Sequence, residues 1–295
     1  MGIVDFIVYL EQEKKTSKNT VEAYKRDIVA FEGFLAERGV SAVTDASNAD
    51  VAAYMMELKD GGKSKATINR KLSSIRAFYR YLLKHNAVKV NPTEDIKSPR
   101  VERKELEYLT IEEVEKLLEA PDDSIKGLRD RAMLEVLYAT GIRVSEIIEL
   151  KMQDVNLRMG FITCSGEHGR ARIVPMGVMA RKALDEYILS SRKALLKEKE
   201  DGPDMPLFLN YMGEPFSRQG FWKVLKQYGK KVDLEEKITP HILRTSFAVH
   251  MVQNGADLKS LQELMGHEDI MATQIYLSVS KNRIKDVYDR THPRA

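Results

Sequence analysis

Two residues three positions apart, His241 and Arg244, have side chains suited to holding and activating a phosphate. At this spacing they share one face of a helix. Thr239 suits the N-cap and Pro240 the first helical position, which predicts that the helix starts there and places His241 in its first turn. Free N–H groups and the dipole at a helix N-terminus favour an anion, so the local structure agrees with phosphate chemistry.

A second group of candidate residues follows along the chain. Gly266 is typical of a helix end, His267 comes directly after it, and Tyr276 lies nine positions further on in a stretch that indicates another short helix. An arginine that holds phosphate, a histidine that accepts a proton and a phenol that attacks form a nucleophilic site. Each residue alone has an ordinary structural explanation, since tyrosines are commonly half-buried and histidines at helix starts make local hydrogen bonds. The ordered combination favours catalysis.

The elements before this region begin with a helical segment, residues 1–86. Hydrophobic periodicity predicts helices at about residues 4–13 and 20–38, a third from a Ser47–Asp50 capping box to Gly61, and a fourth after a Ser64 cap. The fourth helix carries basic side chains outside its apolar stripe, namely Lys65, Arg70, Lys71, Arg76 and Arg80. Such residues neutralise phosphates without reading base sequence, which is one interpretation. A solvated basic face is the alternative, and the helix taken alone favours it.

Residues 87–109 hold two prolines and closely mixed charges, which is typical of a linker between domains. A capping box formed by Thr110 and Glu113 opens the second domain, residues 110–295, with helices expected at 111–119 and 127–139.

Arg143 lies in a turn, because Gly141 suits the end of the preceding helix and another short helix follows. It is either one half of a phosphate clamp, oriented by the nearby Glu146, or simply a cation at the carboxyl end of that helix.

The rest of the second domain is predicted to hold a β-hairpin and more helices. The β-prone runs 161–164 and 171–175 flank a turn-rich segment, which indicates the hairpin. Helices are expected at 177–198, 217–231 and about 281–289. The predicted fold is mainly α: a helical N-terminal domain, and a mixed, mostly α second domain with a small antiparallel sheet.

Composition excludes several classes. The 295 residues are 43% hydrophobic and 31% charged, as in globular proteins, and no apolar run approaches the roughly 20 residues that span a bilayer. The single cysteine, Cys164, excludes an internal disulfide and a cysteine-cluster zinc site, and its expected role is a small buried hydrophobe in a protein of the reducing cytoplasm. A net charge of +3 does not by itself indicate DNA, so a DNA-binding face requires segregated charge.

The string His241-x-x-Arg244, Gly266-His267 and then Tyr276 resembles the C-terminal signature of the tyrosine recombinases, the phage integrase family. Residues 139–146, Ala-Thr-Gly-Ile-Arg-Val-Ser-Glu, resemble the family's first arginine motif, and the final His-Pro-Arg-Ala resembles the tail of one group of Xer recombinases. The resemblance covers nearly the whole chain. It implies that residues 1–86 are a SAM-like DNA-binding domain and that residues 110–295 are catalytic.

The resemblance also implies a mechanism. Tyr276 would attach covalently to a DNA 3′ phosphate, with Arg143 and Arg244 on its non-bridging oxygens. His241 would accept the phenol proton and His267 would hydrogen-bond the phosphate. No metal and no other cofactor is implied, because the arginines neutralise the charge.

One family position departs from the pattern. Xer recombinases carry in their hairpin a lysine that protonates the leaving 5′ oxygen, and Glu167 occupies that position here. A carboxylate has the wrong charge beside a phosphate and no proton to give at neutral pH. His168, Arg170 and Arg172 are candidate substitutes. The alternatives are that cleavage is slow, or that Glu167 only faces solvent.

The implied partners are double-stranded DNA and further protomers, which assemble as a tetramer on two DNA sites. Whether the other protomers are copies of this chain or a paralogue stays open, as does activation by a DNA translocase; no membrane is implied. The resemblance favours chromosome dimer resolution. The alternatives are a minimal integrase of a mobile element, a type IB topoisomerase, and a DNA-binding accessory protein that has lost activity.

Overall fold

The computed structural model describes residues 2–100, 105–165, 171–197, 199–267 and 271–276. The chain forms two compact units, residues 1–104 and 105–295, and each has its own hydrophobic core. Within the described residues, no helix combines the length and the apolar character needed to cross a membrane. The predicted hairpin turn, the helix expected at about 281–289 and the tail after it lie outside the described residues.

The first unit is built from four helices, as predicted: α1 (Ile3–Gln12), α2 (Lys18–Glu37), α3 (Asn48–Asp60) and α4 (Lys65–Lys84). Serine hydroxyls cap the last three, and the capping box of Ser47 with Asp50 is present. Aromatic rings dominate the core, where Phe6 lies 5.3 Å from both Phe78 and Tyr81 between ring centroids.

Residues 87–100 belong to the first unit and pack against its helices. Asn69 donates to the carbonyl of Pro99 at 2.9 Å, Arg76 donates to the carbonyl of Ile96, and Val88 lies in the core. The boundary between the units falls inside the predicted linker, yet the larger part of that segment belongs structurally to the helices before it.

The second unit is mostly helical. Its helices are α5 (Ile111–Glu119), α6 (Ile125–Thr140), α7 (Val144–Glu149), α8 (Val178–Glu186), α9 (Lys193–Leu196), α10 (Arg218–Lys231), α11 (Pro240–Gln253), α12 (Leu258–Met265) and α13 (Met271–Gln274). The predicted cap of Thr110 with Glu113 is present, and Thr239 accepts from the N–H of Ile242 at 3.1 Å.

The helix predicted at 177–198 is interrupted, because a π-helical turn over Tyr187–Arg192 separates α8 from α9. Residues five apart share a face in this wider geometry. Tyr187 and Arg192 both use that face to donate to the carbonyl of Leu207, at 3.0 and 3.1 Å.

A three-stranded antiparallel sheet lies in the second unit, in the order β1 (Val155–Asn156), β2 (Phe161–Ser165) and β3 (Ala171–Pro175). The hairpin of β2 and β3 was predicted; the two-residue β1 was not. Cys164 pairs with Arg172 across the hairpin, and burial raises the pKa of its thiol to about 12, as fits a buried hydrophobe.

Helices α6 and α11 meet where the candidate residues lie. Gly141 ends α6 in the left-handed conformation with φ +59°, and a Cβ there would lie 2.1 Å from the ring of Phe247 on α11. Glycine therefore permits both the turn that leads to Arg143 and the close approach of the helix that carries Arg244.

Candidate active site

Arg244 lies on α11 and its residue surface is only 7% exposed. Its guanidinium donates to the carbonyls of Gly141 and Met265, the latter at 2.6 Å, and to Nε2 of His267 at 3.1 Å. Burial, and next the charge of Arg143, lower the pKa of Arg244 to about 10. The group stays protonated at neutral pH, so a buried cation is held ready for an anion.

Arg143 is the residue before α7, and its side chain is 33% exposed. Its backbone N–H donates to Oε2 of Glu146 at 2.6 Å, while its guanidinium donates to Oε1 of Glu146 at 3.3 Å and to the carbonyl of Gly266 at 2.9 Å. The helix start that the sequence indicated thus fixes the backbone of Arg143 and leaves its guanidinium partly open to solvent.

Arg172 is a third arginine in this cluster. On β3 it faces inward with Val174, two residues on, and a cation there needs a partner. It binds both oxygens of Glu146, at 2.6 and 2.9 Å, and its Nε donates to the carbonyl of Leu264 at 2.9 Å. The sequence offered Arg172 only as a substitute acid, and its inward position on the strand was the signal for this pairing.

The carboxyl end of α12 accepts hydrogen bonds from all three arginines. Its last carbonyls have no partner within the helix, and the helix dipole makes this end negative. Leu264, Met265 and Gly266 each accept a hydrogen bond from a different one of the three guanidinium groups. Sequence reasoning missed this role, because it belongs to backbone atoms.

Glu146 is almost buried, so desolvation by itself would raise its pKa. The hydrogen bonds from Arg172 and from the backbone of Arg143, with both positive charges, hold the pKa of its carboxyl below the usual value. The carboxylate is therefore ionised and anchors two cations.

His267 follows α12 directly, and its tautomer can be assigned from its neighbours. Because Arg244 can only donate, Nε2 of His267 accepts; Nδ1 therefore carries the proton and donates to Oγ1 of Thr273 at 2.9 Å. Burial and the charges of the arginines lower the pKa of His267 to about 4, so the ring is neutral at pH 7. Thr273 on α13 was not predicted as part of the site.

Tyr276 lies two residues after α13 and is 3% exposed. Its ring packs in a cluster with Phe247, Val252 and Met265. Burial raises the pKa of its hydroxyl, although the charge of Arg244 and a hydrogen bond with Thr245 oppose that rise. The phenol is therefore protonated at neutral pH and lies within electrostatic range of Arg244.

His241 occupies the first turn of α11, where the sequence placed it, and is exposed. The charge of His241 is among those that lower the pKa of His267, so the two histidines lie within electrostatic range of each other. The fold thus gathers around α11 and α12 the residues predicted from order alone: Arg143, His241, Arg244, His267 and Tyr276.

The remaining predicted site residues divide into two groups. Glu167, His168 and Arg170 lie outside the described residues. The basic residues predicted to contact DNA all lie on α4, where Arg70 and Lys71 donate to the buried Asp27. DNA contact by these side chains stays a prediction.

Comparison with known proteins gives matches over both units. Residues 107–283 match the phage integrase family, and residues 3–86 match the phage integrase N-terminal SAM-like domain. The tyrosine recombinase XerD of Oceanobacillus iheyensis is 43% identical over 297 residues, which cover 100% of this chain and 99% of that protein.

Solved structures of recombinases have the same fold as this chain. The crystal structure of XerA recombinase has 27% identity and a TM-score of 0.55, covering 99% of both chains. The XerH site-specific recombinase bound to a palindromic difH substrate has 22% identity and a TM-score of 0.75, covering 97% of this chain and 84% of that one, and supports the fold. With a family match over most of the second unit and a relative 43% identical from end to end, the chain belongs to the phage integrase family, as a tyrosine recombinase of the Xer type.

Proposed function

We propose that this site cleaves and rejoins double-stranded DNA at specific sequences, with Tyr276 as the nucleophile. The observation that carries the proposal is the convergence of Arg143, Arg244 and His267 on the carboxyl end of α12, with Tyr276 within electrostatic range of Arg244. Cations and a neutral imidazole grouped near a phenol suit transfer of a phosphoryl group to that phenol.

Arg143 and Arg244 would hold the two non-bridging oxygens of the scissile phosphate. Planar guanidinium groups bind such oxygens in pairs and stabilise the charge that develops in the transition state. Arg244 is buried and held by several hydrogen bonds, whereas Arg143 is partly exposed, so we assign entry of the phosphate to the side of Arg143.

His267 would have to change its tautomer when DNA binds. In the free protein Nε2 accepts from Arg244, and it cannot donate to a phosphate in that state. When the phosphate replaces Nε2 as the partner of Arg244, the proton can move to Nε2, and Nδ1 then accepts from the hydroxyl of Thr273, which is able to donate. Thr273 suits either tautomer.

The chemical step exchanges one phosphodiester for another. The oxygen of Tyr276 bonds to phosphorus, the bond from phosphorus to the 5′ oxygen breaks, and the phenol proton passes to His241. The leaving oxygen takes a proton and becomes a 5′ hydroxyl. Attack by a 5′ hydroxyl from a second DNA strand reverses these transfers and releases the tyrosine, so no external energy source is needed.

The source of the leaving group's proton stays open, because Glu167 stands where the family has lysine. Of the three candidate substitutes, Arg172 already uses three nitrogens on Glu146 and Leu264. Burial by itself would lower the pKa of Arg172, but its hydrogen bond and ion pair with Glu146 raise it. A raised pKa makes a poor acid, which favours His168 or Arg170.

In the cell, this reaction would resolve chromosome dimers in the cytoplasm, with four protomers on two DNA sites. The relatives called XerD over the whole chain support this assignment, and XerH is solved on difH DNA. A minimal integrase of a mobile element is the alternative. The protomers would be copies of this chain or of a paralogue.

The test is covalent capture of DNA by Tyr276→Phe. The recombination site is first selected from genomic DNA fragments that the protein binds, then nicked near the scissile phosphate so that religation is blocked. Wild-type protein should accumulate a protein–DNA adduct, and Tyr276→Phe should form none while binding DNA as well as wild type. An adduct from the variant would exclude Tyr276 as nucleophile.

Tyr228→Phe is the matched control, because it also removes a buried hydroxyl. That hydroxyl donates to Asp130 at a distance of 3.0 Å, and neither residue belongs to the candidate site. This variant should still form the adduct. If wild-type protein binds the site without ever forming an adduct, the chain is an accessory DNA-binding protein.

A further inference from the structure

We propose that Arg172 is a positioning residue for the phosphate clamp: by binding both oxygens of Glu146, it keeps the guanidinium of Arg143 available to the scissile phosphate. This inference rests on the proposed role of Arg143 at that phosphate. Arg172 would act through Glu146 and would not touch the DNA.

The sharing of Glu146 is unequal. Arg172 takes the two short side-chain bonds, at 2.6 Å to Oε1 and 2.9 Å to Oε2, while the guanidinium of Arg143 has one bond of 3.3 Å to Oε1. The short bond from Arg143, 2.6 Å to Oε2, comes from its backbone N–H. Glu146 therefore fixes the backbone of Arg143 firmly and its guanidinium only weakly.

This division has a consequence for catalysis. Without Arg172, Glu146 would be an almost buried carboxylate with Arg143 as its remaining cation in the cluster. An unpaired buried charge is costly, so the guanidinium of Arg143 would close on the carboxylate of Glu146. That carboxylate would then compete with the phosphate for the N–H donors of Arg143. Arg172 removes that competition.

Arg172 also connects two elements. Its Nε donates to the carbonyl of Leu264, two residues before Gly266, whose own carbonyl accepts from Arg143. The guanidinium of Arg143, Glu146, Arg172 and the end of α12 thus form a closed ring of hydrogen bonds.

The experiment is a double-mutant cycle between Arg172→Gln and Arg143→Ala, measured as the rate of covalent capture at saturating DNA. Arg172→Gln should slow capture by about 10–100-fold, the size of loss that follows removal of a residue that orients a site residue, with half-site affinity nearly unchanged. In the Arg143→Ala background the same change should cost less than about twofold, since its target is already gone.

A second substrate separates positioning from proton donation. DNA with a sulfur in place of the bridging 5′ oxygen has a leaving group that needs no proton. Arg172→Gln should be as slow on this substrate, relative to wild type, as on normal DNA. If the sulfur restores its rate, Arg172 is the general acid and the inference is wrong.

The control is Arg192→Gln. Arg192 is fully buried and, like Arg172, donates through Nε to a backbone carbonyl and through a terminal nitrogen to a carboxylate, that of Asp201. The variant Arg192→Gln should lower the melting temperature without slowing covalent capture at saturating DNA. If Arg172→Gln does not fold, Arg172→Lys takes its place in the cycle, because it keeps the charge but not the two-pronged geometry.

Two results overturn the inference. One is that Arg172→Gln slows covalent capture as much in the Arg143→Ala background as in wild type. The other is that Arg172→Gln weakens DNA binding by the same factor as it slows capture. Failure of the underlying proposal looks different. In that case Arg143→Ala alone captures DNA at the wild-type rate, whatever Arg172 does.

Discussion

Burial shifts the pKa values of three residues at this site, His267, Arg244 and Tyr276. His267 would titrate near neutrality in water, but burial and the surrounding guanidinium groups lower its pKa to about 4. The same burial lowers the pKa of Arg244 and raises that of Tyr276. The site is therefore cationic, with a neutral imidazole and a protonated nucleophile, before DNA arrives.

The lowered pKa of His267 predicts a pH dependence of stability. Between pH 4 and 6.5 the unfolded chain binds a proton at this histidine that the folded chain does not, so the free energy of unfolding rises with pH through that window. Stability should fall as pH drops from 6.5 towards 4. Because the ring is partly exposed, we expect His267 to contribute about 1 kcal/mol, or ~2–4 °C in melting temperature.

His267→Gln isolates this contribution, since Glu146 and His250 also have lowered pKa values and add slopes of the same sign. The variant should show a smaller difference in melting temperature between pH 7 and pH 5 than wild type. An undiminished difference in His267→Gln would show that the histidine does not titrate in this window.

At the scale of elements, α12 organises the site through its end. Gly266 stops the helix with φ +62°, and a Cβ there would lie 2.8 Å from Cζ of Arg172. The absence of a side chain therefore matters twice: the left-handed turn disfavours any other residue, and the arginine fills the space that a side chain would need.

Gly266→Ala should destabilise the protein by about 1 kcal/mol from the backbone conformation and should also slow covalent capture, because the displaced Arg172 pulls on Glu146. Capture at saturating DNA and melting temperature are measured together. Gly39→Ala is the control: its φ is +77° and a Cβ added there would have nothing within 4 Å, so this variant should lose stability and keep its rate. Equal rates in both variants would show that the contact with Arg172 is unimportant.

Sequence signals predicted the starts and ends of helices well, because capping residues and glycines act within a short stretch of chain. The caps at Ser47, Thr110 and Thr239 and the glycine stops at Gly141 and Gly266 are all present, because each depends on residues within one helical turn. The two-residue β1 and the π-helical turn were missed, because their cause is tertiary: β1 exists only by pairing with β2, and the turn aims two side chains at one distant carbonyl.

The candidate site divides in the same way. The order of arginines, histidines and tyrosine along the chain pointed to the residues that now lie together. The contact of Arg143 with Glu146, three positions on, was predicted. The other partners were not, since the carbonyls of α12 carry no sequence signal and Glu146 is 26 positions from Arg172. Long-range geometry alone selects these contacts.

At the scale of the whole molecule, the first of the two units extends beyond the residues that its family match covers. The family match stops at residue 86, but the chain continues along the first unit to residue 100. Asn48 donates to the carbonyl of Pro92 at 3.1 Å, and Arg76 donates to Ser98 at 2.9 Å. Arg76, one of the residues predicted to contact DNA, here holds the segment against α4.

Two fragments of the chain test this boundary. Because residues 87–100 cover apolar surface and add hydrogen bonds to helices that already have a core, the fragment 1–100 should be more stable than 1–86 by about 1–3 kcal/mol in chemical denaturation. Arg76→Ala should lower the stability of the longer fragment and leave the shorter one nearly unchanged, since the partners of its side chain lie beyond residue 86.

Arg80→Ala, an exposed change on the same helix, should leave the stability of both fragments unchanged. It should weaken DNA binding if α4 lies along the DNA backbone. Fragments of equal stability would instead make residues 87–109 a linker throughout and leave Arg76 free for DNA.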